Sequence, residues 1–285
     1  MPVLGIIGAG RLGLTIARFA KASGIDVTVY DRSSDALARA GREGLSTTGS
    51  LGELAGGSDY VMIAVPHDGM ASVVESLAKL GPVLDGRLVF DINTFKLDTI
   101  RYYSLLGPGV RVASAHPMFG SGARDPSRHA VLIVPVPGRE GYRELRGLFD
   151  SMGFKTFLVD ARRHDELMGV IVGLPYLIAA LASHVLSELD GEGLLEHAMD
   201  YSGTTFKLLT VLAGSVARDS GEFIEYVLSN QNTRETIERV YRFMERLLGD
   251  TRVGVEELQR LRGLLGARRV EDAYRRLYCL VEECL

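Results

Sequence analysis

The feature that most constrains this chain is a glycine loop in its context. The apolar run Val3 to Ile7 leads into Gly8-Ala9-Gly10-Arg11-Leu12-Gly13, which opens a helical pattern through Ile16, Phe19 and Ala20 to Gly24. Val27-Thr28-Val29-Tyr30 then closes on Asp31. Strand, turn, helix and strand within about 30 residues form the βαβ unit in which a parallel sheet begins. In a chain with 33 glycines a lone GxGxxG says little, but this one has an acid 23 residues after Gly8, at the end of the second strand. Gly8 allows the tight turn, Gly10 lets backbone approach a pyrophosphate, and Gly13 lets helix pack on strand. The N–H groups and positive end of the helix then face the anion, with Arg11 and Leu12 in its first turn. A carboxylate at Asp31 accepts bonds from a ribose and repels a 2'-phosphate, so NAD is expected over NADP, although Arg32 beside it could hold that phosphate.

The alternation continues through Tyr60 to Val65, stopped by Pro66, then Leu88 to Ile92, Val110 to Ala115 and Val131 to Val134. Continuous apolar runs of this kind suit strands covered on both faces. From His164 no strand pattern remains, and four helical stretches follow: His164 to Leu189, Leu194 to Ala217, Gly221 to Leu248 and Val255 to Leu285. The expected fold is an α/β Rossmann domain with a doubly wound sheet over residues 1–160, followed by an all-α dimerisation domain over 161–285. Pro175 should kink the first helix. That helix is apolar nearly all round from Leu167 to Leu181, so its own domain or a second subunit must cover it, and a homodimer is expected.

Composition narrows the function. Hydrophobic residues make up 46% and charged residues 24% of 285, which excludes disordered and fibrous classes. With 32 basic and 36 acidic residues there is no global field for nucleic acid or an anionic membrane. Met1 leads into a strand without the basic flank and cleavage site of a signal peptide, so a cytoplasmic protein is expected. The stretch Leu167 to Ala182, broken by Gly169, Gly173 and Pro175, falls short of the roughly 20 residues of a spanning helix. Cys279 and Cys284 fit no disulfide framework and read as small buried residues of a last helix. Only five Lys stand against 27 Arg, and Asn plus Gln total five, a depletion of heat-labile amides that suits a thermophile.

In open α/β sheets the chemistry sits beyond the carboxyl ends of the strands. Three such ends carry polar groups: Val65-Pro66-His67-Asp68, Asp91 to Lys96, and Ala113 to Gly122 with His116. A histidine there can take a proton from a substrate hydroxyl as hydride leaves the same carbon, and His116 is best placed. Val65 and Pro66 face the expected cofactor, while His67 is read mainly as a local turn beside Asp68, a helix cap. His129, His184 and His197 have no partners at ligand spacing, so no metal site is expected. Tyr274, Leu277 and Tyr278 form a helical stripe read as core.

The run His116-Pro117-Met118-Phe119-Gly120 resembles the signature of the prephenate and arogenate dehydrogenases of tyrosine biosynthesis, especially archaeal members. Asp91 to Lys96 is similar to their Asp-x-Gly-Ser-x-Lys element, with Asn93 for Gly and Thr94 for Ser, and His164-Asp165-Glu166-Leu167-Met168-Gly169 with Gly173-Leu174-Pro175 resembles the start of their helical domain. The resemblance implies a two-domain build like that of 6-phosphogluconate dehydrogenase, with substrate binding added to the role of the all-α domain, and an NAD-dependent oxidative decarboxylation. His116 would be the base, and the Thr94 hydroxyl would hold the C4 oxygen. Lys96 would serve as a structural ion pair or a substrate contact. Tyr176 stands where many members carry a substrate-contacting His, and Val211 where they carry an Arg for a substrate carboxylate. Lys207 and Arg218 are the substitute cations, and Ser121 follows the signature where Pro is frequent. A β-hydroxyacid or imine dehydrogenase of the same build is the first alternative, although its usual helical-domain Lys has no counterpart between residues 156 and 206. A non-catalytic NAD(P) sensor is the second. No fused mutase or regulatory domain is expected.

Overall fold

The structure, a computed structural model, describes residues 1–191 and 193–284. Its contacts divide the chain into two compact units, Met1–Asp165 and a helical unit from Glu166 onward.

The first unit is built on a sheet of β1 (Val3–Ile7), β2 (Asp26–Tyr30), β3 (Ser46–Thr47), β4 (Tyr60–Ile63), β5 (Leu88–Asp91), β6 (Arg111–Pro117), β7 (Ala130–Pro135) and β8 (Lys155–Leu158). Their spatial order is β3-β2-β1-β4-β5-β6-β7-β8. Neighbours are parallel except for the antiparallel pair β6 and β7. Between them run α1 (Arg11–Ala22), α2 (Ser34–Arg42), α3 (Leu51–Gly56), α4 (Met70–Ala78), α5 (Leu97–Ile100) and α6 (Tyr142–Ser151). Strand order reverses at β1 and β4, the switch point where doubly wound sheets open a crevice.

The period of two explains why these strands are apolar on both faces. Leu4, Ile6, Met62, Leu88 and Phe90 join one buried cluster with residues of α1 and α6, while Ile7, Val61, Ile63 and Val89 join a second with residues of α3 and α4. Helices thus cover both faces.

Two sequence readings are corrected here. β6 runs on through His116 and Pro117, because β7 pairs antiparallel with its last residues, so His116 lies inside the strand opposite Leu132. β3 and β8 are strands without a readable apolar run: β3 has two residues, and in β8 Phe157 and Leu158 are more than half exposed. The helical start read at residue 161 lies in α7 (Ala161–Ile171), which crosses the boundary between the units, leaving His164 and Asp165 in the first.

The second unit continues with α8 (Gly173–Gly191), α9 (Leu195–Asp200), α10 (Thr204–Ala217), α11 (Gly221–Ser229), α12 (Gln231–Gly249), α13 (Arg252–Leu265) and α14 (Ala267–Cys284). The four long helices read from sequence are therefore shorter pieces. The first divides at Val172, since Pro175 has no N–H for the carbonyl four residues before it. Asn230 ends α11 and caps α12 by accepting from the Asn232 N–H, and Gly266 at φ +77° separates α13 from α14. α8 is the hub, packed on α10, α11 and α12. A Cβ on Gly169 would lie 2.6 Å from the Asn232 backbone, and one on Gly173 would lie 2.7 Å from Thr233, so α12 crosses these glycines at close range.

The run Ala161–Gly191 is 31 residues long with a window of mean hydropathy 1.9, so by length and composition it meets the requirement for a spanning helix that the shorter stretch did not. In the single chain Ile178, Leu181 and Val185 on α8 and Leu208 and Val211 on α10 are exposed. Tyr274, 58% exposed, and Cys279, also exposed, are not the core residues the last-helix pattern suggested, because a stripe at helical spacing needs a partner element to bury it. The side chain of Cys284 lies outside the described residues.

Candidate active site

The glycine loop forms as its spacing requires. Gly8 has φ +107°, and a Cβ there would lie 2.5 Å from the Ala64 carbonyl oxygen; one on Gly13 would lie 2.7 Å from the Gly8 oxygen. These two glycines answer to the chain's own atoms. A Cβ on Gly10 would meet nothing within 4 Å, so nothing in the protein requires glycine there. The space beside Gly10 is the kind that a pyrophosphate drawn close to backbone would need.

Helix capping is mixed along the chain, and α4, α6, α10 and α13 start without a side-chain cap. Ser33, Ser50 and Ser220 side chains cap α2, α3 and α11. α1 begins at Gly10 with no side-chain cap, leaving its positive end for an anion. Asp31, half-buried at the end of β2, accepts from the Ala9 N–H (2.8 Å) and the Ser33 N–H (2.8 Å), which ties the acid to the loop. Arg11 and Arg32 are exposed, Leu12 and Val65 are half-buried and Pro66 is exposed. The residues thus fit a dinucleotide. Gly10→Ala is expected to leave the urea midpoint unchanged yet weaken NAD binding by at least about tenfold, roughly 1.4 kcal/mol, in calorimetry. Gly8→Ala should instead lower the urea midpoint, because its side chain has no room.

Beyond the ends of β5 and β6 lies a buried polar cluster. Asp91, fully buried, accepts from four donors: Tyr103 Oη (2.9 Å) and Ser114 Oγ (2.7 Å) at Oδ1, and Lys96 Nζ (3.0 Å) and the Asn93 N–H (2.9 Å) at Oδ2. Lys96 Nζ also donates to the Ala115 carbonyl (2.6 Å). Burial lowers the Lys96 pKa, opposed by Asp91 and Asp165, and raises that of Tyr103 well above its ordinary value. Lys96 and Asp91 form a fully buried ion pair, the structural one of the two readings given for Lys96.

Asp165 at the end of the unit reaches back to the start of α5. Its Oδ1 accepts from the Lys96 N–H (2.8 Å) and its Oδ2 from the Leu97 N–H (2.9 Å). Its Oδ1 also meets His164 Nδ1 at 2.7 Å, and His164 Nε2 meets His116 Nδ1 at 3.0 Å. Donor and acceptor roles follow from chemistry. A carboxylate only accepts, so His164 Nδ1 carries a proton; the neutral ring then accepts at Nε2, so His116 donates from Nδ1. His116 Nε2 is left with a free lone pair. Burial, the Lys96 charge and His164 together hold the His116 pKa well below its ordinary value, so it is neutral at pH 7 and competent as a base. Burial also lowers the His164 pKa, against the pull of Asp165.

The other candidates fall in separate places. Thr94 is half-buried on the turn before α5, and no hydrogen bond joins it to His116. The Ser121 carbonyl accepts from Thr15 Oγ1 at 3.3 Å. In the helical unit Tyr176 donates to Asp219 Oδ2 at 2.5 Å, and burial with that carboxylate raises its pKa. Lys207 is half-buried on α10 and Arg218 is exposed just after it. No cluster of His, Cys, Asp and Glu suited to a metal occurs among the described residues. Sequence reading missed His164 and Asp165 as site residues; their adjacency was visible, but not the strand end they meet.

Comparison with known proteins gives a consistent picture. Residues 16–132 match the family model for prephenate dehydrogenase, nucleotide-binding domain. The probable arogenate/prephenate dehydrogenase of Methanocaldococcus jannaschii is 25% identical over 214 residues, covering 73% of this chain and 47% of that protein. The chain therefore spans about half the length of that curated relative. Prephenate dehydrogenase from Aquifex aeolicus matches with a TM-score of 0.73 at 19% identity, over 94% of this chain and 99% of that one. The A. aeolicus enzyme in complex with hydroxyphenyl propionate and NAD+ gives 0.69 at 18% identity, over 99% and 98%.

Proposed function

With residues 16–132 belonging to the nucleotide-binding domain of the prephenate dehydrogenase family, we propose that this chain is an NAD-dependent dehydrogenase that oxidatively decarboxylates prephenate or arogenate in tyrosine biosynthesis. The observation that carries the reading is His116, buried at the sheet's carboxyl edge with Nδ1 bonded to His164 and Nε2 free to accept a proton.

Gly8, Gly10 and Gly13 with the open end of α1 would hold the pyrophosphate, Asp31 the adenosine ribose, and Val65 and Pro66 the nicotinamide side. When bound, NAD supplies a hydride acceptor for the substrate's C4. His116 Nε2 takes the proton of the C4 hydroxyl as that carbon is oxidised. Loss of the C1 carboxylate as carbon dioxide sends its electron pair through the ring to the C4 oxygen, which recovers the proton from His116 as the ring becomes aromatic. Thr94 is assigned a hydroxyl toward that oxygen. Lys207 and Arg218 are the cations proposed for the substrate carboxylates. The Tyr176 hydroxyl donates its hydrogen bond to Asp219, which leaves its oxygen lone pairs to accept from a substrate.

The reading extends to assembly and place. The exposed apolar side chains of α8 and α10 are proposed as a homodimer face, and the dimer as cytoplasmic. Light scattering giving twice the 31.0 kDa chain mass supports this, and a monomer rejects it. The function is tested by cofactor reduction at elevated temperature with prephenate or arogenate and NAD or NADP, in all four pairings. Turnover with NAD and either substrate supports the proposal. Silence in all four with NAD still bound rejects it in favour of a sensor.

A further inference from the structure

We propose that the base is not His116 alone but a two-histidine relay, in which His164 takes the second proton of His116 and Asp165 holds the charge that results. The proposal deepens the function above and rests on it for the identity of the substrate hydroxyl. The contacts form one line: Asp165 Oδ1 to His164 Nδ1 at 2.7 Å, and His164 Nε2 to His116 Nδ1 at 3.0 Å. Both rings are buried, His164 completely and His116 at 7% exposure. Backbone N–H groups of Lys96 and Leu97 pin the Asp165 carboxylate, so the far end of the line is fixed.

Electrostatics gives the line a direction. The charged groups around the pair are Lys96, Asp91 and Asp165, with Tyr103 neutral on Asp91, which leaves one excess negative charge while both histidines are neutral. The cluster therefore accepts one proton to reach neutrality. A cation on His116 would have no carboxylate in contact and would feel the nearby Lys96 charge, whereas a cation on His164 lies against Asp165. The lower pKa of His116 relative to its ordinary value agrees with that ordering.

Every proton is accounted for. As the substrate O–H bond breaks, His116 Nε2–H forms; His116 Nδ1–H breaks and His164 Nε2–H forms. His116 is then neutral in its other tautomer and His164 is an imidazolium on Asp165. When the ring oxygen recovers its proton from His116 Nε2, His164 Nε2–H returns its own to His116 Nδ1. His164 and Asp165 act only through His116, so they are positioning and relay residues.

The state after transfer can be reached without substrate, by acidification. Nitrogen-15 NMR of the histidines in the free protein is expected to show Nδ1–H on both rings at neutral pH. On acidification His164 should gain the charge first, while His116 switches to Nε2–H. Charge appearing first on His116, or Nε2–H on His116 at neutral pH, overturns the relay whether or not the protein turns over either substrate. Kinetics supplies the second test. His164→Gln keeps an acceptor for His116 and a donor for Asp165 but cannot take a proton. It is expected to lower kcat about 10- to 100-fold with KM and NAD affinity unchanged, less than the roughly 100- to 10,000-fold of a group that takes the proton directly, because His116 keeps its own Nε2. A wild-type kcat in that variant means that His164 only orients His116 and overturns the proposal. A wild-type protein that turns over neither substrate yet shows the expected NMR order rejects the function and leaves the relay standing.

Discussion

A His116→Asn variant is expected to turn over substrate about 100- to 10,000-fold more slowly than the wild type while binding NAD with unchanged affinity. The two halves of that expectation come from different parts of the molecule. Asparagine has no basic nitrogen and cannot hold the proton of the C4 hydroxyl, so the chemical step loses its base. The glycine loop is built from β1, α1 and Asp31, none of which needs the His116 ring for its bonds. The pH dependence should match. Because the His116 pKa is held well below its ordinary value, the base stays neutral as pH falls through 6.5, and wild-type kcat should stay level there and fall only at lower pH. Steady-state rates across pH, with calorimetry for NAD, check both points. Near-normal turnover in the variant would remove His116 from the chemistry.

The second large effect concerns stability. Lys96→Met is expected to destabilise the protein by about 3–5 kcal/mol at pH 7, the range for a buried ion pair that loses one partner. Lys96 and Asp91 are both fully buried, and with the ammonium gone Asp91 keeps three donors but no cation. The Ala115 carbonyl also loses its side-chain donor. Met conserves much of the Lys volume, so a cavity adds little and the loss reports chiefly on the charge. Urea denaturation followed by circular dichroism should show the midpoint falling with the slope unchanged. Adding Asp91→Asn should restore part of the loss, because the unpaired charge is then gone too. A loss under about 1 kcal/mol would mean that Asp91 takes up a proton or reaches water when Lys96 is absent.

Much of the site was legible in the chain, and the reason is local. Gly8, Gly10 and Gly13 share one short loop with a fixed spacing, and Asp31 lies at the end of the second strand of the same βαβ unit, although the atom that crowds Gly8 belongs to Ala64 after β4. His116 could be picked out as a candidate because strands end in runs of readable periodicity, although β6 continues past the point where its apolar run stops. The stripe of exposed Tyr274 and half-buried Tyr278 shows the limit, since periodicity marks a face without naming what covers it.

What the sequence by itself determined was the sheet of apolar strands, the glycine loop at its switch point, the acid beside it and the histidine at a strand end. The partners of that histidine were decided by the tertiary structure. His164 lies 48 positions from His116, and Asp165 lies 69 positions from the Lys96 N–H that it accepts. Asp91 draws its four donors from three segments: Asn93 and Lys96 in the turn after β5, Tyr103 in the stretch that follows α5, and Ser114 in β6. Such groups are interchangeable by residue type along the chain. Their pairing follows from which strands end side by side once the crossovers are made, and from the high cost of burying any of them unpaired.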